Sequence, residues 1–253
     1  MSAQWRVFLA AVQYFTRLPV PASVGHSQQL LDDAARYFPA VGTLVGVASA
    51  ATFFVGSLLL PPTVAALLAV GVAVWITGAF HEDGLADAID GIGGGYERQR
   101  ILEIMRDSRI GTYGAVALLL SIGLRVSVLA ALPVDLGCLL LIVGHTCSRH
   151  AGIVLMWLLP YVREDESRAK PLSRSLSLNA MLVASSTALV AFALGVAYEP
   201  AFLGGLPLAL AAQIYWYRVL RRNLQGHTGD CLGAAQQITE VSLGVGLLAA
   251  WSI

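Results

Sequence analysis

The chain has 253 residues, 57% of them hydrophobic and 13% charged, with a formal net charge of +0 at pH 7, and its mean hydropathy is +0.69. Soluble domains carry about 25% charged residues, so this composition excludes an ordinary soluble globule and describes a polytopic membrane protein. A neutral chain offers no basic surface for nucleic acid, and Cys138, Cys147 and Cys231 show neither metal spacing nor a disulfide framework.

At the N-terminus Trp5, Phe8, Leu9, Val12 and Phe15 recur at helical spacing, interrupted by Arg6, Gln13 and Arg17, and no small-residue cleavage site follows. This pattern reads as an interfacial helix rather than a signal peptide. The prolines of Phe15-Thr16-Arg17-Leu18-Pro19-Val20-Pro21 stop it, and a short polar helix around Gln28 to Arg36 leads on. Seven candidate spans follow, at roughly 37–60, 63–80, 113–131, 137–159, 178–197, 201–217 and 232–253, since a helix crosses the hydrocarbon in about 20 residues and tilt or re-entry absorbs the shorter ones. Loops 61–62, 132–136 and 198–200 lack Lys and Arg, whereas 81–112, 160–177 and 218–231 carry Arg98, Arg100, Arg106, Arg109, Arg163, Arg168, Lys170, Arg174, Arg218, Arg221 and Arg222. The positive-inside rule then puts the N-terminus and the basic loops in the cytoplasm and the C-terminus outside. The expected architecture is one all-α domain, 1–253, a polytopic integral membrane helical bundle of about seven spans plus the interfacial helix. Its first partner is the lipid bilayer, and the sequence leaves open whether copies assemble into a homo-oligomer.

Between the second and third spans, residues 81–114 hold seven of the sixteen acidic residues. Asp83, Asp87 and Asp90 fall at i, i+4 and i+7, one stripe of a helix. Like charges so placed repel unless a cation sits between them. Oxygen donors favour Mg²⁺ or Mn²⁺, and Mg²⁺ shares its remaining positions with water and substrate phosphate, so phosphorus chemistry is expected. Gly84 is expected to let a ligand reach the backbone, Gly91 to Gly95 to end the helix, and a surface helix, Glu97 to Arg106, to return Asp107-Ser108-Arg109 towards the stripe. The plainer alternative is a solvated acidic loop.

Arg125 and Arg149 fall inside spans, where an ionisable group costs at least about 2.5 kcal/mol and so faces a polar cavity or a partner. Arg149, in Gly144-His145-Thr146-Cys147-Ser148-Arg149-His150, has a fork suited to a phosphate; a structural pair with Glu240 is the alternative, and His145 and His150 read as hydrogen-bonded packing residues. The loop Gln225 to Ala234 combines small residues with Thr228 at a helix N-terminus, an anion-binding turn in which Asp230 could equally serve as N-cap. Gln236, Gln237 and Glu240 give the last span a polar stripe.

Together His81-Glu82-Asp83-Gly84-Leu85-Ala86-Asp87-Ala88-Ile89-Asp90-Gly91, Ile104-Met105-Arg106-Asp107-Ser108-Arg109-Ile110-Gly111-Thr112, Phe15-Thr16-Arg17-Leu18-Pro19 and Thr228-Gly229-Asp230 resemble the cobalamin synthase family, the adenosylcobinamide-GDP ribazoletransferases of the bacterial inner membrane. The likeness runs from the first helix to the last span. It implies an Mg²⁺-dependent transferase that joins adenosylcobinamide-GDP to α-ribazole or its 5′-phosphate and releases GMP, with its active site facing the cytoplasm. Asp83, Asp87 and Asp90 would hold Mg²⁺ with Asp107 as a further ligand, Asp90 or His81 would take the hydroxyl proton, and Arg109, Arg149, Thr228 and Asp230 would bind substrate. Gln225 departs from the family's turn, which carries a glycine there, and Glu82 is taken as a variable position. The rival readings are a CDP-alcohol-type phospholipid phosphotransferase, whose later aspartate pair is missing here, and an ion-coupled transporter, for which no inverted repeat is visible.

Overall fold

A computed structural model of the chain describes residues 2–163 and 176–252, so Arg168, Lys170 and Arg174 of the second basic loop lie outside the described residues. Helix α1 (Ala3–Phe15) starts where the Ser2 hydroxyl accepts the Trp5 N–H at 3.3 Å, and α2 (Gln28–Ala34) starts on the Ser27 hydroxyl in the same way. Then follow α3 (Phe38–Ser57), α4 (Pro62–Thr77), α5 (Phe80–Gly94), α6 (Arg98–Ile104), α7 (Thr112–Ala131), α8 (Val134–Leu158), α9 (Leu178–Tyr198), α10 (Phe202–Asn223) and α11 (Gly229–Trp251). The fold is all-helical among the described residues apart from one isolated bridge, Tyr161 to His227.

Four segments are long and apolar enough to cross a bilayer: Gln28–Ser57, α7, α8 and α9. The pair α4 and α5 adds a fifth if taken together, but the chain turns by 89° between them. Gly78 at φ 68° and Ala79 at φ 60° make that elbow, so α5 leaves the line of α4 and carries its polar residues to the end of the bundle. Helices α10 and α11 match the others in length but not in composition. Burial explains this for α11, which packs against α5, α7, α8 and α10 and buries Gln236, Gln237 and Glu240; a helix enclosed by protein needs no apolar outer face. Helix α9 is the converse, leaving Leu182, Leu189, Val190 and Leu194 more than half exposed as a lipid-facing helix does.

Small residues set the closest approach in the interior. Helices α3 and α8 touch backbone to backbone at Gly42, where a Cβ would stand 2.1 Å from the His145 carbonyl oxygen. Of the glycines from Gly91 to Gly95 expected to end α5, Gly91 still lies within the helix: its missing side chain makes room for Met105, whose Cγ would be 2.6 Å from a Cβ there. The helix ends within that run, at Gly94, with Gly95 as its C-cap.

Two sets of loops gather at opposite ends. At one, Val162 N–H donates to His227 O at 3.0 Å, and Arg163 reaches both Met105 O and Asp230, uniting the basic loops after α5, α8 and α10. At the other, the Tyr198 hydroxyl donates to Asp135, joining the loops after α7 and α9.

The exit of α10 carries a local strain. Gln225 sits at φ 56°, where a Cβ costs about 1–2 kcal/mol, and its N–H closes on Leu220 O at 3.0 Å in the manner of a helix C-terminus that favours glycine. Gln225→Gly is expected to stabilise the folded protein by about 0.5–1 kcal/mol, the relief being partly offset by the freer unfolded chain; a thermal melt in detergent that moves down would contradict this.

Candidate active site

The candidate site lies where α5 crosses α11. A Cβ on Gly84 would meet Asp230 O at 3.1 Å and Gly233 Cα at 3.3 Å, and one on Gly233 would meet Gly84 Cα at 3.2 Å. Gly84 thus admits the backbone of α11 rather than a ligand, and the crossing sets the first turn of α11 beside the stripe of α5. Asp83 is exposed and Asp87 half-buried, and the charged neighbours of Asp87 are Asp230, Asp83, Arg163 and Asp90. Asp230 accepts from Arg163 Nη2 at 2.6 Å and from the Thr228 hydroxyl at 3.2 Å. Thr228, not Asp230, is the N-cap of α11, accepting the Cys231 N–H at 3.4 Å, which leaves the Asp230 carboxylate to the cluster. Burial pushes the Tyr14 hydroxyl up to about 12, with Tyr161 and Asp230 as contributing neighbours, so α1 also borders this region.

Asp90, the third member of the stripe, is buried and faces α7. Its two oxygens accept the Gly111 N–H at 2.7 Å and the Gly114 N–H at 2.9 Å, so it satisfies the free donors at the start of that helix. Replacing it is expected to unsettle α7: Asp90→Ala should lower stability by about 1–2 kcal/mol, seen as an earlier unfolding transition, and an unchanged transition would show the cap to be dispensable. Arg109 is exposed and Asp107 partly so, and the two are paired with each other, at 2.6 Å between Nη2 and Oδ2. The Arg109 hydrogen bonds hold the Asp107 carboxyl down at about 2 and raise the guanidinium in return. His81 turns inward, stacked on Phe15 with ring centroids 5.4 Å apart, and lines an aromatic slot with Tyr14, Phe80, Arg149 and Gln236.

Behind the stripe lies a buried charge network that the sequence showed only in fragments. Arg125 of α7 donates to Glu82 of α5 at 3.1 Å and to Glu240 of α11 at 3.0 Å. Glu240 also accepts from Ser148 at 3.1 Å and from Gln236, and His145 Nδ1 stands 2.5 Å from it. Gln237 bridges Glu82, at 2.9 Å, and Ser121, at 3.0 Å. Arg149 is 3% exposed, donates to its own helix at His145 O at 2.9 Å and lies 3.9 Å from Glu240, close to the structural pairing expected as the alternative. Glu82 thus anchors α5 from its inner side.

Among the described residues, no three His, Cys, Asp or Glu side chains form a ready-made metal cage. The donor set nonetheless suits a hard cation: Asp83 and Asp87 lie one turn apart with Asp230 across from them, all oxygen donors and partly open, and Mg²⁺ commonly takes one or two carboxylates and fills its other positions from water and phosphate.

A bundle that is helical throughout its described spans, with several apolar helices and a cluster of carboxylates at one end, defines a polytopic membrane protein with a polar region at its rim. Comparison with known sequences narrows the class: the sequence profile of the cobalamin-5-phosphate synthase family matches residues 7–248, and the chain belongs to that family. The proteins named adenosylcobinamide-GDP ribazoletransferase from Polaromonas sp. (strain JS666 / ATCC BAA-500) and Shewanella amazonensis (strain ATCC BAA-1098 / SB2B) are 41% and 42% identical to it, covering 96% and 97% of this chain and 96% of each relative. The protein of the same name from Shewanella putrefaciens (strain CN-32 / ATCC BAA-453) is 43% identical over 98% of this chain and 95% of its own length. No solved structure matches the chain.

Proposed function

We propose that this chain joins adenosylcobinamide-GDP to α-ribazole or its 5′-phosphate, giving adenosylcobalamin or its phosphate and releasing GMP. The relatives' shared name supports the activity, and the observation that supports our placing it at α5 and α11 is the meeting of Asp83 and Asp87 with Asp230 across the Gly84–Gly233 crossing. Asp83 and Asp230, with Asp87 beside them, are the residues that would hold Mg²⁺, which when bound supplies neutralisation of charge on the bridging and leaving phosphate oxygens.

The chain's own groups then have separate tasks. A ribose hydroxyl of the acceptor forms a new P–O bond to the cobinamide-bearing phosphorus as the bridging P–O bond to GMP breaks, and the hydroxyl proton must go to a side chain within hydrogen-bond reach. Asp90 is engaged with Gly111 and Gly114, and His81 is stacked against Phe15 on the inner side of α5. Asp87, half-buried and accepting no hydrogen bond from the described residues, is the group we assign to that proton. Of the arginines expected at phosphate, Arg109 is at the surface while Arg149 is turned into the bundle, so we give Arg149 to the internal network.

The site would face the cytoplasm of the bacterial inner membrane: the end that gathers Arg163 and the loops after α5 and α10 is the basic one, as the positive-inside rule requires. Seven spans would follow if α10 and α11 cross the bilayer under cover of their neighbours, an arrangement supported by the gathering of alternate loops at opposite ends. The decisive assay supplies liposome-embedded protein with Mg²⁺, adenosylcobinamide-GDP and α-ribazole. GMP and a cobalamin product in equal amounts are expected, both stopped by EDTA; CMP released from CDP-alcohol substrates with no GMP from adenosylcobinamide-GDP, or substrate uptake without chemistry, would overturn the reading.

A further inference from the structure

We propose that Arg163 is a binding residue for the diphosphate of the nucleotide-activated substrate, a role resting on the placement of the site at the α5–α11 crossing. Arg163 Nη2 lies 2.6 Å from Asp230 Oδ2 and 3.3 Å from Met105 O. Its Nε is buried and meets no acceptor among the described residues. One part of a five-donor fork is therefore used and another is spare, next to the carboxylates that would face the phosphates, and guanidinium geometry suits two oxygens of one phosphate.

The plain alternative is a structural ion pair that ties the exit of α8 to α11. That tie already exists without it. Val162 N–H donates to His227 O at 3.0 Å, His227 N–H to Pro160 O at 2.9 Å, and the His227 ring nitrogen Nδ1 is 3.0 Å from Leu159 O. Gly226 closes the contact so tightly that a Cβ there would lie 2.1 Å from Val162 Cγ1. The backbone thus delivers Arg163 to the carboxylates whether or not its side chain pairs with them, which is how a residue meant for a ligand is pre-positioned.

Charge points the same way. Asp83, Asp87 and Asp230 bring three negative charges to the crossing, and Arg163 is the cation among the charged neighbours of Asp87. A diphosphate carries more negative charge than one divalent cation beside three carboxylates can balance, so positive charge from the protein favours its approach. Arg163 supplies it from the protein, and its Asp230 pair is the resting contact that the phosphate replaces in part.

The test measures equilibrium binding of adenosylcobinamide-GDP with the acceptor withheld, by dialysis against detergent-solubilised protein read by corrin absorbance, with adenosylcobinamide, which lacks the diphosphate, as the control probe. Arg163→Ala should weaken adenosylcobinamide-GDP about ten- to a hundredfold, leave adenosylcobinamide unchanged, and leave the KM for α-ribazole unchanged. Arg163→Lys, which keeps the charge and loses the fork, should recover part of the loss, and it carries the comparison if the alanine variant does not fold. Equal binding of both probes by wild type and variants overturns the proposal, as does a variant that keeps its affinity for adenosylcobinamide-GDP and gains only in Mn²⁺ affinity, since Arg163 would then merely stand in for the metal. If wild-type protein binds adenosylcobinamide-GDP and turns it over while the variants match it, Arg163 alone is misassigned; if wild type does neither, the assignment of function fails first.

Discussion

Asp83→Asn and Asp87→Asn are each expected to lower the rate of GMP release by at least about a hundredfold while leaving the protein inserted and folded. Asp83 is exposed and Asp87 half-buried, and neither accepts a hydrogen bond from the described residues, so exchange of one oxygen for an amide nitrogen removes charge without breaking an internal contact. The loss should show in the metal dependence: the Asp83→Asn variant should need much more Mg²⁺ for half-maximal rate. Asp90→Asn should behave differently, losing stability before metal response, because its carboxylate accepts the donors at the start of α7. Near-normal rates in both Asp83→Asn and Asp87→Asn would reduce the stripe to a solvated helix face.

Arg125→Ala is expected to cost about 3–5 kcal/mol, the usual penalty for removing one partner of a buried ion pair, and in a protein of ordinary stability that removes much of the folded population. Arg125 lies between Glu82 and Glu240, and all three are less than 10% exposed, so its loss leaves Glu82 buried without its cation and Glu240 with only the more distant Arg149, 3.9 Å away, as an arginine partner. The measurement is the yield and thermal unfolding of detergent-solubilised protein. Adding Glu82→Gln and Glu240→Gln to Arg125→Ala should restore part of the loss, since neutral amides can remain buried with their hydrogen bonds. A single variant as stable as wild type would show that the three charges are not coupled.

Local periodicity made much of this legible and distant packing the rest. Asp83 and Asp87 could be placed on one face from their spacing alone, and Trp5 to Phe15 announced α1. The partnership of that face with Asp230 depends on two glycines, Gly84 and Gly233, meeting from helices far apart in the chain, and no window along the sequence contains both. Arg163 was visible only as one more positive charge in a basic loop, because its closeness to Asp230 is set by backbone hydrogen bonds between Pro160–Val162 and His227. Glu82 shows the same limit: it stands beside Asp83 in sequence but turns inward, where Arg125 and Gln237 hold it. Span counting met the limit of hydropathy, since α11 is enclosed by other helices and carries polar groups that a lipid-facing helix would not.

The central claim is that carboxylates of α5 and α11 together grip one divalent cation with the substrate's diphosphate. Mn²⁺ titration followed by electron paramagnetic resonance, with and without adenosylcobinamide-GDP, addresses it directly. One site is predicted that tightens when the donor substrate is added and is lost in both Asp83→Asn and Asp230→Asn. Mn²⁺ binding unaffected by either substitution, or an absence of binding with the substrate present, would contradict the account.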